Sequence, residues 1–333
     1  MLKKTIIGLT AVACGAVMLA PPASAAHEGQ LRRVFEADLG SLNGTGSGGN
    51  VTVEVFNQNT AIVTIEAEGM QPDAPHAQHF HGEFGTVAEC PTPANDTDGD
   101  GFVSVLEGVP AYGSIKQSLT TEGDTSADSG LAVERFPVSE DGTYSYMRVF
   151  EVPLDVASNM GNLAVVLHGA DFDESGAYDG EKRSSLTDDL PFEATVPVAC
   201  GELDLQEIVV PAPYGDTEGT EGAVTRYYAA LLNRAPDTSG FQYWVDTLPQ
   251  AGAVEVAKAF TQSPEFQARY GPMLDAPAGE LVDFVYIATL GRQADPSGKA
   301  YWVDALQRGA VTPGWLIAAF AESDEFMALT GTR

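Results

Sequence analysis

The periodicity of the chain changes once, around Pro211-Ala212-Pro213-Tyr214-Gly215-Asp216-Thr217-Glu218-Gly219, and that break limits what either side can become. Before it, apolar and polar residues alternate in short runs. Asn50-Val51-Thr52-Val53-Glu54-Val55-Phe56 and Ala61-Ile62-Val63-Thr64-Ile65-Glu66-Ala67 each put every second side chain on one face, with Asn57-Gln58-Asn59 as the turn. Thr143 to Val152 places Tyr144, Tyr146, Arg148 and Phe150 on one face, and Asn162 to His168 reads as a buried strand. Short strands with turns and no long helices between them predict an antiparallel sandwich or barrel.

Beyond the break the texture is helical and repeated. Asn233-Arg234-Ala235-Pro236-Asp237-Thr238-Ser239-Gly240 leads into Tyr243-Trp244, and Gly291-Arg292-Gln293-Ala294-Asp295-Pro296-Ser297-Gly298 leads into Tyr301-Trp302. Ser263-Pro264-Glu265-Phe266 recurs as Ser323-Asp324-Glu325-Phe326, each serine placed as a helix N-cap. Two such units are expected to pack as one bundle, with Trp244 and Trp302 as core and Asp237 and Asp295 as caps. The expected divisions are a leader over 1–25, a β domain over 27–203, a linker over 204–221 and a helical repeat domain over 222–331.

The leader is read from Lys3-Lys4, an apolar stretch from Ile6 to Ala20, and Ala23-Ser24-Ala25, which together describe a secretory signal peptide. Cys14 follows Ala11-Val12-Ala13, a poor approximation to a lipoprotein site. An exported protein is therefore expected, periplasmic or extracellular, with no membrane span. Loss of the leader leaves Cys90 and Cys200, an even pair that reads as a disulfide in an oxidising compartment. The net charge of −30 becomes −32 without Lys3 and Lys4, which argues against nucleic acid or anionic lipid as partners.

Chemistry concentrates at two places. Four of the 5 histidines fall in Pro75-His76-Ala77-Gln78-His79-Phe80-His81-Gly82 and Val165-Val166-Leu167-His168-Gly169. On a strand His79 and His81 point the same way, and a third imidazole from another buried strand would complete a three-nitrogen cradle suited to copper or zinc. The second place is Asp96-Thr97-Asp98-Gly99-Asp100-Gly101-Phe102-Val103-Ser104-Val105-Leu106-Glu107. It carries the EF-hand calcium-loop spacing, with Asp96, Asp98 and Asp100 at alternate positions and Gly101 at the sharp turn. Phe102 would offer its carbonyl, Ser104 would act through water, and Glu107 would close the site. Cys90-Pro91-Thr92-Pro93 cannot form the usual entering helix, so a lone structural calcium loop is expected.

From Leu31 to Leu203 the chain resembles the copper–zinc superoxide dismutase family. The resemblance is carried by the opening hairpins, His76 to Gly85, Cys90, Val166-Leu167-His168 and Ala199-Cys200-Gly201. It implies an eight-stranded Greek-key barrel, with His79, His81 and His168 as copper ligands, His76 behind them, and a Cys90–Cys200 bridge. The departures are as informative. No histidine lies between His81 and His168, where the family places its bridging and zinc-binding residues, so no zinc is expected. Pro197 stands three residues before the last cysteine, where the family has an anion-guiding arginine. The helical half is similar to a tandem domain of unknown function of exported and surface-layer-associated bacterial proteins. That module is read as an attachment or interaction domain, with a cell-surface or matrix component as its expected partner. Three readings stay open at this point. The first is a secreted metal-binding protein with structural calcium and copper as candidate occupant. The second is a copper-only superoxide dismutase, and the third a structural adhesin-like module. No catalytic residue is assigned.

Overall fold

The two alternating runs become long strands, because β-branched residues on one face have a core to fill. The computed structural model describes residues 30–56, 59–215 and 217–332, without the side chain of residue 269. The signal peptide, Cys14 and part of the 57–59 turn lie outside the described residues. The strands are β1 (Arg32–Ser41), β2 (Gly48–Phe56), β3 (Thr60–Glu68), β4 (Gln78–Gly82), β5 (Ser114–Ser118), β6 (Thr143–Glu151), β7 (Ala164–His168), β8 (Pro197–Glu202) and β9 (Asp204–Val209). They form one curled antiparallel sheet in the order β5-β4-β7-β8-β1-β2-β3-β6, with β9 added to β1.

Strand β1 is the hinge of the curl. Its first half pairs with β9 and its last two residues, Gly40 and Ser41, pair with β8. The sheet thus folds over itself, and Val51, Val53, Val63 and Ile65 of β2 and β3 meet Phe80, Val165 and Leu167 of β4 and β7 in one buried core. Strand β6 alternates as expected, with Tyr144 and Tyr146 buried and Arg148 and Phe150 half-buried. Among the described residues the sandwich has nine strands, against the eight that the resemblance implies.

The ninth takes up the start of the 204–221 stretch expected as a linker. Residues Asp204–Val209 are strand, and α4 already begins at Gly219. Ile208 and Val210 are buried in the helical core together with Leu31, while Leu205 packs against both cores. Arg33 donates from Nη2 to the carbonyl of Ala288 at 2.6 Å. Leu205 to Val209 shows no alternation, because Gln206 and Glu207 stand together between Leu205 and Ile208 where the register against β1 shifts.

Short helices sit in the loops of the β half, α1 (Val105–Tyr112), α2 (Leu154–Ser158) and α3 (Phe192–Thr195). The helical half runs α4 (Gly219–Tyr227), α5 (Thr238–Ala251), α6 (Ala253–Thr261) and α7 (Pro264–Tyr270), then α8 (Ala278–Val285), α9 (Pro296–Gln307), α10 (Pro313–Ala321) and α11 (Asp324–Thr330). One apolar core joins both repeats through Tyr227, Phe260, Val282, Tyr286 and Phe320. The repeated motif residues explain themselves as structure. Asp237 and Asp295 accept from the amides of Gly240 and Gly298, and Ser263 and Ser323 cap α7 and α11. Arg234 clasps Glu265 with two bonds and Arg292 clasps Glu325 likewise, and the guanidiniums lie over Tyr228 and Tyr286, the residues that follow α4 and α8. Trp244 and Trp302 pack half-buried against the core, whereas their neighbours Tyr243 and Tyr301 are 60% and 63% exposed.

Candidate metal centre

Strand β4 turns Phe80 into the sandwich core and His79 and His81 to the opposite face, as strand alternation requires. That outer face is not solvent. The long loops after β4, β5 and β7 fold over it, so His79, His81 and His168 are all less than 5% exposed. Register brings the third histidine in. His79 pairs with Val166 and His81 with Ala164, while the amide of His168 donates to the Ala77 carbonyl at 2.8 Å. His168 thus stands diagonal to His79 on the same face. The ring centroids are 5.6, 5.2 and 5.9 Å apart, and one ring nitrogen from each histidine lies within 4.8 Å of those of the other two.

Main-chain carbonyls fix the tautomers. His79 donates from Nε2 to Gly130 at 3.1 Å, His81 from Nδ1 to Gly113 at 3.0 Å, and His168 from Nδ1 to Thr195 at 2.7 Å. The lone pairs therefore sit on His79 Nδ1, His81 Nε2 and His168 Nε2, each buried with no hydrogen-bond partner. Orphaned buried acceptors carry a cost in a folded protein. Three that converge, each oriented by a carbonyl from behind, are the usual form of a metal cradle. Gly113 makes one of these contacts feasible. Its φ is +82°, and a Cβ there would sit 2.4 Å from the Gly82 carbonyl carbon.

Burial lowers the pKa of all three imidazoles. His81 falls to about 3, through desolvation and then the neighbouring His168, and His168 falls to about 4, mainly through desolvation. His79 is held well below the ordinary value by burial and by both neighbours. The rings stay neutral and available to a metal in mild acid. His76 does not join the cluster. Its Nδ1 lies 3.1 Å from the His168 carbonyl and its Nε2 2.9 Å from that of Gln71, so it stands behind the backbone of His168.

Cys90 and Cys200 are bonded, with Cα atoms 5.7 Å apart, tying the loop after β4 to β8. That loop continues into the acidic segment. Asp96, Asp98 and Glu107 come within 4.8 Å of one another. Asp100 instead pairs with Lys182, and the Ser104 hydroxyl donates to Glu107 at 2.8 Å. Glu107 also accepts from the amides of Ser104 and Thr97, and these bonds, led by that of Ser104, hold its carboxyl down at about 2. Gly99 and Gly101 both adopt positive φ, the turn that the spacing anticipates. Titrating the metal-free protein with calcium in a calorimeter should show binding at a Kd of about 10⁻⁴–10⁻³ M, the weak extracellular range. Asp98→Ala should abolish that heat; an unchanged isotherm would remove the assignment.

The sequence reading missed a further carboxylate group. Asp171, Asp173 and buried Glu193 also lie within 4.8 Å of one another. Asp171 accepts from Gly176 N at 2.7 Å, as Asp96 does from Gly101 N at 2.9 Å, and Glu193 accepts from Phe172 N as Glu107 does from Thr97 N. The signal was present in Asp171-x-Asp173-x-Ser175-Gly176. The closing glutamate, however, comes from α3 rather than from the twelfth loop position, so the full loop pattern is absent.

Two stretches of the helical half, 213–270 and 257–330, match the model of a domain of unknown function, DUF4214. Among solved structures the chain is similar to Candida albicans superoxide dismutase 5 in its copper(II) form, at 14% identity. That alignment covers 53% of this chain and 93% of the other, with a TM-score of 0.30. A glutamate-to-glutamine variant of the same enzyme aligns at 13% identity over 53% and 92%, with a TM-score of 0.29. No curated protein matches the chain. Among the described residues no helix is long and apolar enough to cross a membrane.

Proposed function

We propose that the chain is an exported metal-binding protein in which His79, His81 and His168 hold copper on a dismutase-like sandwich. The supporting observation is the convergence of three buried, partnerless ring nitrogens. Imidazole nitrogens suit copper, whereas the oxygen donors of the 96–107 loop suit calcium and would order that insertion beside the disulfide. Bound copper would supply a one-electron centre, and the chain's own part is to orient three imidazoles through Gly130, Gly113 and Thr195. Zinc is not part of this reading, because no histidine lies between His81 and His168, where the resemblance would place the zinc-binding residues.

Weak or absent dismutation is the expected activity. Pro197 occupies the position of the guiding cation that the resemblance would supply, and a net charge of −30 repels an anionic substrate. The helical repeats are read as the attachment module, holding the sandwich at a cell surface or matrix. Exposure of Tyr243 and Tyr301 at equivalent places of the two units supports this. Metal analysis after copper loading should find one copper per chain in the wild type and none in His79→Ala. The loaded protein should remove superoxide slowly. Uptake that survives His79→Ala would defeat the copper assignment, and rapid superoxide removal would establish an enzyme instead.

A further inference from the structure

We propose that the three-histidine site admits small neutral ligands, of the size of a diatomic gas, and rejects anions. This rests on the copper reading above and concerns what can reach the metal. The cavity in front of the imidazoles is walled by Val105 of α1, Ile115 of β5, Leu131, Val133, Leu186 and Leu190. Among the described residues no lysine or arginine lines it. The Thr195 hydroxyl, which does line it, is already spent on the hydroxyl of Ser184 at 2.8 Å. Lys116, next to Ile115 along β5, is held by Glu83 and by the Ser114 hydroxyl.

An anion entering such a passage gives up its hydration and finds no compensating donor. A neutral diatomic molecule loses almost nothing on the same path. The surrounding charge works in the same direction, since the chain carries a net −30. Access is therefore selective by desolvation rather than by size alone. Leu131 and Leu186 are 45% and 40% exposed, so they form the outer rim, where a polar replacement can reach water.

The test uses the full-length protein after copper content has been measured. Azide is titrated into the copper(II) form and followed by its charge-transfer absorption, and carbon monoxide is added to the reduced form and followed by its infrared stretch. The reduced wild type should bind carbon monoxide. Azide should bind Leu131→Arg at least about tenfold more tightly than the wild type, since a charge beside a low-dielectric passage acts strongly. Leu186→Arg, from the separate segment that precedes α3, should shift azide the same way, and circular dichroism checks that both variants fold. Equal azide affinity in the wild type and both arginine variants would overturn the proposal, as would a reduced protein that binds no carbon monoxide. A chain that takes up no copper fails at the first measurement, which overturns the copper reading and this inference with it.

Discussion

The metal-free protein is expected to lose several kcal/mol of folding stability between pH 7 and pH 4, at about 1.4 kcal/mol for each unit of pKa displacement. The sign follows from burial. In the unfolded chain the three histidines take protons near the ordinary value of 6.5, whereas in the folded chain His168 waits until about 4 and His81 until about 3. Within that window the unfolded state binds more protons, so each step down in pH favours it. The stability that depends on neutral imidazoles is complete above 6.5 and is lost as the pH falls towards the folded values. Urea unfolding at a series of pH values reads this directly. Copper competes with protons for the same nitrogens, so loading should move the loss to lower pH. A metal-free protein equally stable at pH 7 and pH 5 would contradict the burial of these rings.

Replacing both Cys90 and Cys200 by serine should cost about 5 kcal/mol, the chain-entropy value for a loop of this size. The bond spans 110 residues, a third of the chain, so its absence frees a large part of the unfolded ensemble. The same bond pins the acidic insertion to β8, two strands from His79 and His81. The double variant should therefore unfold at markedly lower denaturant and bind calcium less tightly. A loss below about 1 kcal/mol would mean that strain or residual structure cancels the loop term.

What the sequence disclosed was local. Alternation in Val51 to Phe56 and Ala61 to Ala67 gave two strands, Asp-x-x-Gly gave two helix caps, and His79-x-His81 gave two rings on one face. Each of these is a periodicity that the backbone reads over a few residues. Register between distant strands gave the rest. That His168 falls diagonal to His79 depends on the pairing of β4 with β7. That each ring is oriented by a carbonyl depends on where the loops holding Gly113, Gly130 and Thr195 come to rest. Strand β9 was not legible, because its residues do not alternate and Ile208 and Val210 find their core in the helical half. Glu193 escaped for the same reason as the carbonyls, since its partners Asp171 and Asp173 lie about twenty residues away along a loop with no periodicity.

Electron paramagnetic resonance of the protein loaded with one equivalent of copper(II) tests the central claim most directly. The account predicts one homogeneous signal carrying hyperfine coupling to imidazole nitrogens from His79, His81 and His168, with His168→Ala removing one of them. A spectrum of heterogeneous oxygen-ligated copper, unchanged in His168→Ala, would contradict it.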